Sequence, residues 1–160
     1  MITTSKESVL VTRYHDAYAE DMVRLCGGMN RQTLNDLGMS ITDDKIEQWT
    51  RLCRDIGFVL VINGRPEGLI GAIMTESVTS GAPVLQHLFW YVEPEHRKHS
   101  KKLLDMLEEQ AKTLGAEYLV VSMMLGEDSD VLGRFYEIHG YKKFEVQYLK
   151  ELNGEKRRVS

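Results

Sequence analysis

The segment 92–104, VEPEHRKHSKKLL, sets Arg97, Lys98, His99, Lys101 and Lys102 just ahead of, and within, the first turn of a predicted helix. Aligned peptide dipoles leave that end of a helix partly positive, so each cation there costs roughly 0.3–1 kcal/mol and Asp or Glu is the usual occupant. The same end carries backbone N–H groups without intrahelical partners and attracts anions. Cations crowded at such a place are offset when a ligand bearing negative charge, a phosphorylated one above all, binds among them.

The elements on either side must hold this segment in place. Upstream, Pro83 precedes VLQHLFWYV, which is rich in β-branched and aromatic residues, closes at Pro94 and reads as a strand. Downstream, Leu103, Leu104, Leu107, Ala111 and Leu114 fall at helical spacing up to Gly115, and EYLVVSMML is apolar enough for a buried strand. Strand, helix and strand form the clearest unit of the chain.

SVLVTRYH suits a short first strand, and residues 16–29 place Tyr18, Met22, Leu25, Cys26 and Met29 on one helical face. The CGGMN punctuation predicts that this helix weakens beyond Leu25 and passes into a mobile connection through about Ser40. TDDKIEQWTRLCRDIG predicts a second helix, capped by Thr42, acidic at Asp43 and Asp44, and stopped at Gly57. Two strands follow, joined through Asn63-Gly64 with a few further loop residues. SDVLGRFYEIHG predicts a short helix with Ser129 as its cap, and YKKFEVQYLKEL one or two closing strands.

With 160 residues, 42% of them hydrophobic, the chain is expected to form a single domain over residues 1–152 followed by a frayed tail at 153–160. The net charge of −4 makes the basic segment a local feature, so nucleic acid is not an expected partner. No apolar run is long enough to span a bilayer and the first residues lack a leader's apolar stretch, so no membrane association is expected and the cytoplasm is the expected compartment. Cys26 and Cys53 show neither paired nor metal-ligand spacing and are expected to be buried free thiols; no metal is implied.

The order of elements resembles the GNAT superfamily of N-acyltransferases, and two stretches carry the resemblance. The family's cofactor motif, V-x-P-x-x-R followed by x-x-G-x-G or x-x-G-x-A, is similar to Val92, Pro94 and Arg97 followed by Lys98, His99, Ser100, Lys101 and Lys102, with Ser100 and Lys102 in the small-residue positions. A second pattern, N-x-x-A-x-x-x-Y-x-x-x-G-F, is similar to SDVLGRFYEIHGY, in which Tyr136, Gly140 and Tyr141 match, Ser129 stands for Asn and Leu132 for Ala. Short bacterial and phage-encoded members look alike in this respect. The resemblance implies an α/β (α+β) fold: a mixed, mostly antiparallel sheet with a splayed parallel strand pair and helices on both faces.

It further implies acetyl-CoA as acyl donor and an amine as acceptor, the diphosphate lying on the helix start formed by Arg97, Lys98, His99, Ser100, Lys101 and Lys102, with Ser129 nearby. Backbone groups of Tyr91 and Val92 would bind the pantetheine arm and donate to the thioester oxygen. Tyr136 matches the tyrosine that donates to the departing thiolate. The base stays open. His87 could accept a proton near neutral pH, Gln86 could orient a water that relays it, and Glu76 and Glu93 are weaker candidates. A core tyrosine and a structural histidine are the alternatives for Tyr136 and His87. The reading is an N-acetyltransferase working by direct transfer in a ternary complex; a catalytically weak or inactive module binding CoA or a protein partner is the alternative, and a homodimer is left open.

Overall fold

The computed structural model describes residues 5–124 and 128–152; the expected tail at 153–160 lies outside the described residues. Five strands form one sheet in the order β1 (Val9–Arg13), β2 (Gly57–Ile62), β3 (Arg65–Glu76), β4 (Pro83–Val92) and β5 (Tyr118–Val120). Strands β1 to β4 pair antiparallel in succession, and β4 and β5 are parallel. Two helices, α1 (Ala19–Met29) and α2 (Asp43–Asp55), precede β2; α3 (Ser100–Thr113) connects β4 to β5, and α4 (Ser129–Ile138) follows β5. This mixed architecture is the expected fold class.

Alternation along the strands divides the core in two. Phe58, Leu60, Ile62, Ile70, Ala72, Leu85 and Val92 pack with Leu103, Leu107 and Ala111 of α3. Val59, Val61, Leu69, Phe89 and Tyr91 pack on the opposite face with Met22, Leu25 and Cys26 of α1 and Cys53 of α2. Helix α2 begins as its sequence predicts, Thr42 Oγ1 accepting from the Lys45 N–H at 3.4 Å.

Several expectations are corrected. Helix α1 does not fade beyond Leu25 but runs through Gly27 and Gly28 to Met29 and on into a π-helical turn, Asn30–Leu34. Here the glycine serves packing: a Cβ on Gly28 would lie 2.6 Å from the Tyr91 hydroxyl. The β2–β3 hairpin is tighter than expected, since Ile62 pairs directly with Arg65 around Asn63 (φ 49°) and Gly64 (φ 81°), both in the left-handed region that a two-residue turn requires. Ser129 is the first residue of α4, with Asp128 at the cap position and no capping hydrogen bond from its side chain. The closing strands are not formed among described residues 141–152; Phe144, Val146 and Tyr148 keep a strand's alternation but are exposed.

Candidate active site

Strand β4 has one extra residue at Leu88, because Ala72 pairs with His87 and Gly71 with Phe89. Pairing with β5 ends just before it, at Gln86↔Val120. The predicted strand EYLVVSMML is therefore shortened to Tyr118–Val120, and beyond Val120 the two strands part. A bulge bends a strand and interrupts its ladder. The backbone from His87 to Val92 is left without a strand partner on that side, an edge able to hydrogen-bond an extended ligand such as the pantetheine arm.

Ser122, just past the end of β5, crosses the gap. Its N–H donates to Nδ1 of His87 (3.2 Å), and its carbonyl accepts from the Tyr136 hydroxyl (3.1 Å). Sequence reasoning missed Ser122; a lone hydroxyl residue inside VVSMM was the available signal. Because Nδ1 accepts from a backbone N–H, the neutral imidazole carries its proton on Nε2. That nitrogen is buried and unpartnered among the described residues, as is the indole N–H of Trp90. A buried donor without a partner costs about 1–3 kcal/mol, so two of them beside parted strands fit a ligand that supplies acceptors.

His87 is 8% exposed, and burial pushes its pKa down to about 4. The imidazole is thus neutral at physiological pH. As a base it is much weaker than an ordinary histidine, which changes the expectation drawn from its sequence. Gln86 lies on the opposite face of β4, its Nε2 donating to the His87 carbonyl at 3.1 Å, so the two neighbours do not converge on one atom. Burial raises the Tyr136 pKa well above the ordinary phenol value, and the group stays protonated. Its ring lies 6.1 Å from that of Trp90.

Glu76 is exposed at the far end of β3, opposite Pro83, and is remote from the parting strands. Glu93 is held at the other end of β4, where it accepts from the Tyr91 hydroxyl at 3.4 Å and lies 3.8 Å from Arg24 Nη1.

The basic segment forms a 3₁₀ turn, Pro94–His99, leading into α3. Most of its cations have carboxylate partners that spacing alone did not reveal. Arg97 donates through Nε to the Val92 carbonyl (3.2 Å) and approaches Asp128 (3.6 Å), tying the turn to the end of β4 and the start of α4. Lys98 and His99 meet Glu7 at 3.6 and 3.2 Å, and Lys101 meets both oxygens of Asp105 at 2.7 and 2.9 Å. Lys102 has no carboxylate within 4 Å among the described residues. His99 occupies the cap position without making a side-chain cap, and the Ser100 N–H that opens the helix donates back to the Arg97 carbonyl of the preceding turn. An anion here would meet a helix N-terminus that no side chain caps.

Cys26 and Cys53 are buried in the α1–α2 core, and burial pushes their pKa values up to about 11 and about 12. Among the described residues there is no group of three or more His, Cys, Asp or Glu side chains able to hold a metal ion, and no helix long and apolar enough to cross a membrane.

Solved structures with the same fold include an acetyltransferase of Trypanosoma brucei (TM-score 0.67, 17% identity, covering 91% of this chain and 100% of that one). An aminoglycoside N-acetyltransferase in complex with CoA superposes with a TM-score of 0.71 at 13% identity, over 95% and 99% of the two chains. A ribosomal-protein-alanine N-acetyltransferase from Brucella melitensis biovar Abortus gives 0.66 at 17% identity, over 92% and 100%. No curated protein matches the sequence. The model of the acetyltransferase (GNAT) family matches residues 20–141, a stretch that takes in the parted strands, the basic turn and Tyr136, and the chain belongs to that family.

Proposed function

We propose that the protein transfers an acetyl group from acetyl-CoA directly to an amine within a ternary complex. Family membership makes acetyl-CoA the acyl donor. The observation that carries the rest is the buried Tyr136 hydroxyl at the point where β4 and β5 part, linked through the Ser122 carbonyl to the same residue that binds His87.

Acetyl-CoA supplies an activated acyl group as a thioester. The chain's own groups do the rest. The open edge of β4, with Tyr91 and Val92 at its end, binds the pantetheine arm, while the first-turn amides of α3 and the cations around them hold the diphosphate. Ser129, opening α4, lies across from this turn through the Arg97–Asp128 pair. Trp90 Nε1–H and His87 Nε2–H donate to ligand carbonyls, so His87 acts as a neutral donor, and the proton of the attacking amine passes to a water oriented by its hydrogen bond to Gln86 Oε1 and from there to solvent. Tyr136 turns its O–H from Ser122 to the departing thiolate, where negative charge develops only as the bond breaks.

Direct transfer is supported by the two cysteines, both in the α1–α2 core and held as thiols by burial, so neither is an activated nucleophile. Neighbouring structures include enzymes named for aminoglycoside, ribosomal-protein alanine and glucosamine 6-phosphate acceptors, all amines. Thiol release from acetyl-CoA with an aminoglycoside, a polyamine, a glucosamine phosphate and an N-terminal peptide tests the proposal. Release that depends on the amine, without acetylated protein, is expected. Tight acetyl-CoA binding with no release for any amine would favour the inactive binding module instead.

A further inference from the structure

We propose that Glu7 is a positioning residue for the acetyl-CoA site, holding the basic turn that leads into α3 in the arrangement that takes the diphosphate. The proposal rests on the reading above that the diphosphate binds at this helix start.

Glu7 lies just ahead of β1, far from the turn in sequence. Its neighbour Ser8 is fixed to the β2–β3 hairpin from both sides, the Ser8 N–H donating to Asn63 Oδ1 and the Asn63 N–H to the Ser8 carbonyl, each at 2.9 Å. From this anchored place the Glu7 carboxylate reaches His99 at 3.2 Å, Lys98 at 3.6 Å and His96 at 3.9 Å. Four consecutive basic side chains of one turn would be expected to spread apart, yet Arg97 alone is directed to β4 and α4, and the other three gather on one acid.

The consequence lies at His99. This residue has the cap position of α3, from which a side-chain acceptor would reach a first-turn N–H and compete with a ligand. The His99 side chain is 15% exposed and turned to Glu7, and it makes no cap. An acid placed at the amides themselves would satisfy the helix end and close the site. Glu7 instead meets Lys98 and the two histidines from the side and leaves the helix start without a side-chain cap. It lowers the positive charge near the diphosphate, an effect opposed to binding. The Glu7 side chain is about a third exposed and Lys98 more so, so that screened penalty is small beside the cost of an unordered turn in a site made of backbone groups.

The test compares the wild-type protein with Glu7→Ala and Glu7→Gln by calorimetric titration with acetyl-CoA, and with S-acetylpantetheine, which lacks the diphosphate, by thermal shift. Glu7→Ala is expected to weaken acetyl-CoA binding about three- to tenfold, as the loss of the Lys98 ion pair and of the two histidine contacts that order the turn would, while the S-acetylpantetheine response is unchanged. Glu7→Gln keeps an oxygen that can accept from His99 and is expected to fall between the two. Equal losses for both ligands would mean a merely structural role and overturn the proposal. So would equal or tighter acetyl-CoA binding by both variants, the latter making Glu7 a competing anion. If the wild-type protein binds no acetyl-CoA, the diphosphate reading fails and the role of Glu7 fails with it; a failure of the variants alone leaves that reading standing.

Discussion

His87 and Tyr136 come from different layers of the fold and are joined through one residue, the N–H of Ser122 donating to Nδ1 of His87 and its carbonyl accepting from the Tyr136 hydroxyl. The two side chains are thereby placed by the parting of β4 from β5. Ser122 can turn to both only because it has left the ladder that ends at Gln86↔Val120. A hydrogen bond to a backbone group fixes the imidazole's tautomer and leaves the phenol a single rotation from a ligand.

The buried imidazole has a consequence for stability. Its pKa is about 4 in the folded chain and 6.5 in the unfolded one, so below pH 6.5 the unfolded chain takes up the proton first. The contribution is fully present above pH 6.5 and lost as pH falls toward 4, with a total on the order of 3 kcal/mol. Urea unfolding at pH 7 and pH 4.5 is expected to show a loss in the wild-type protein that shrinks markedly in His87→Gln, where the amide oxygen can still accept from Ser122. The same argument predicts no limb from His87 between pH 6 and 8 in the rate profile. A wild-type limb there that His87→Gln abolishes would restore His87 as the base.

Tyr136→Phe removes one hydroxyl from the side of the cleft without changing the ring that packs against Trp90. If the O–H is needed as thiolate charge develops, turnover falls about a hundredfold while the dissociation constant for acetyl-CoA stays within about threefold. Turnover equal to that of the wild-type protein would confine Tyr136 to packing.

Gly28→Ala sets two effects against each other. Alanine improves an interior helical position by about 1 kcal/mol. Its Cβ, however, would lie 2.6 Å from the hydroxyl and 2.8 Å from a ring carbon of Tyr91, which is buried in the core between the sheet and the first two helices. Overpacking of this kind costs roughly 1–3 kcal/mol, so a net loss of about 1 kcal/mol is expected in chemical denaturation. Tyr91 ends the open edge of β4, and acetyl-CoA binding should weaken with it. A stabilised variant would show that Tyr91 yields freely.

The Tyr91 contact also shows why the sequence was readable at some places and not others. Helix α2 was legible because its signals are local: Thr42 accepts from Lys45, three residues on, and Asp43 and Asp44 lie in the same turn. Helix α1 was cut short because two adjacent glycines weaken a helix locally, while the reason for Gly28 lies on β4. The two motifs, with the strand–helix–strand unit between them, located the turn, α3 and Tyr136. The carboxylates at Glu7 and Asp128 were not legible as partners of the cations, and that at Asp105 went unread. For Glu7 and Asp128 the pairing depends on tertiary contacts; Lys101–Asp105 has helical spacing and could have been read from the sequence.

That distribution of partners separates two lysines that the sequence presents alike. Lys101 is held by both oxygens of Asp105, and the pair is nearly neutral to a ligand beside it. Lys102 is exposed, stands where the family pattern has a small residue, and has no carboxylate within 4 Å among the described residues. Its stem could obstruct the diphosphate or its ammonium could attract it. A flexible stem turns toward solvent at small cost, and the charge still acts within a Debye length of ~8 Å at physiological ionic strength, so attraction is expected to win. Lys102→Ala should therefore weaken acetyl-CoA binding about two- to fivefold at low salt, the size of one cation's interaction near a helix end, and the difference should shrink as salt is raised. Lys101→Ala should change the affinity less than twofold. Titrations of the three proteins at low and high salt decide between the two effects: tighter binding by Lys102→Ala, insensitive to salt, would identify the side chain as an obstruction in the small-residue position.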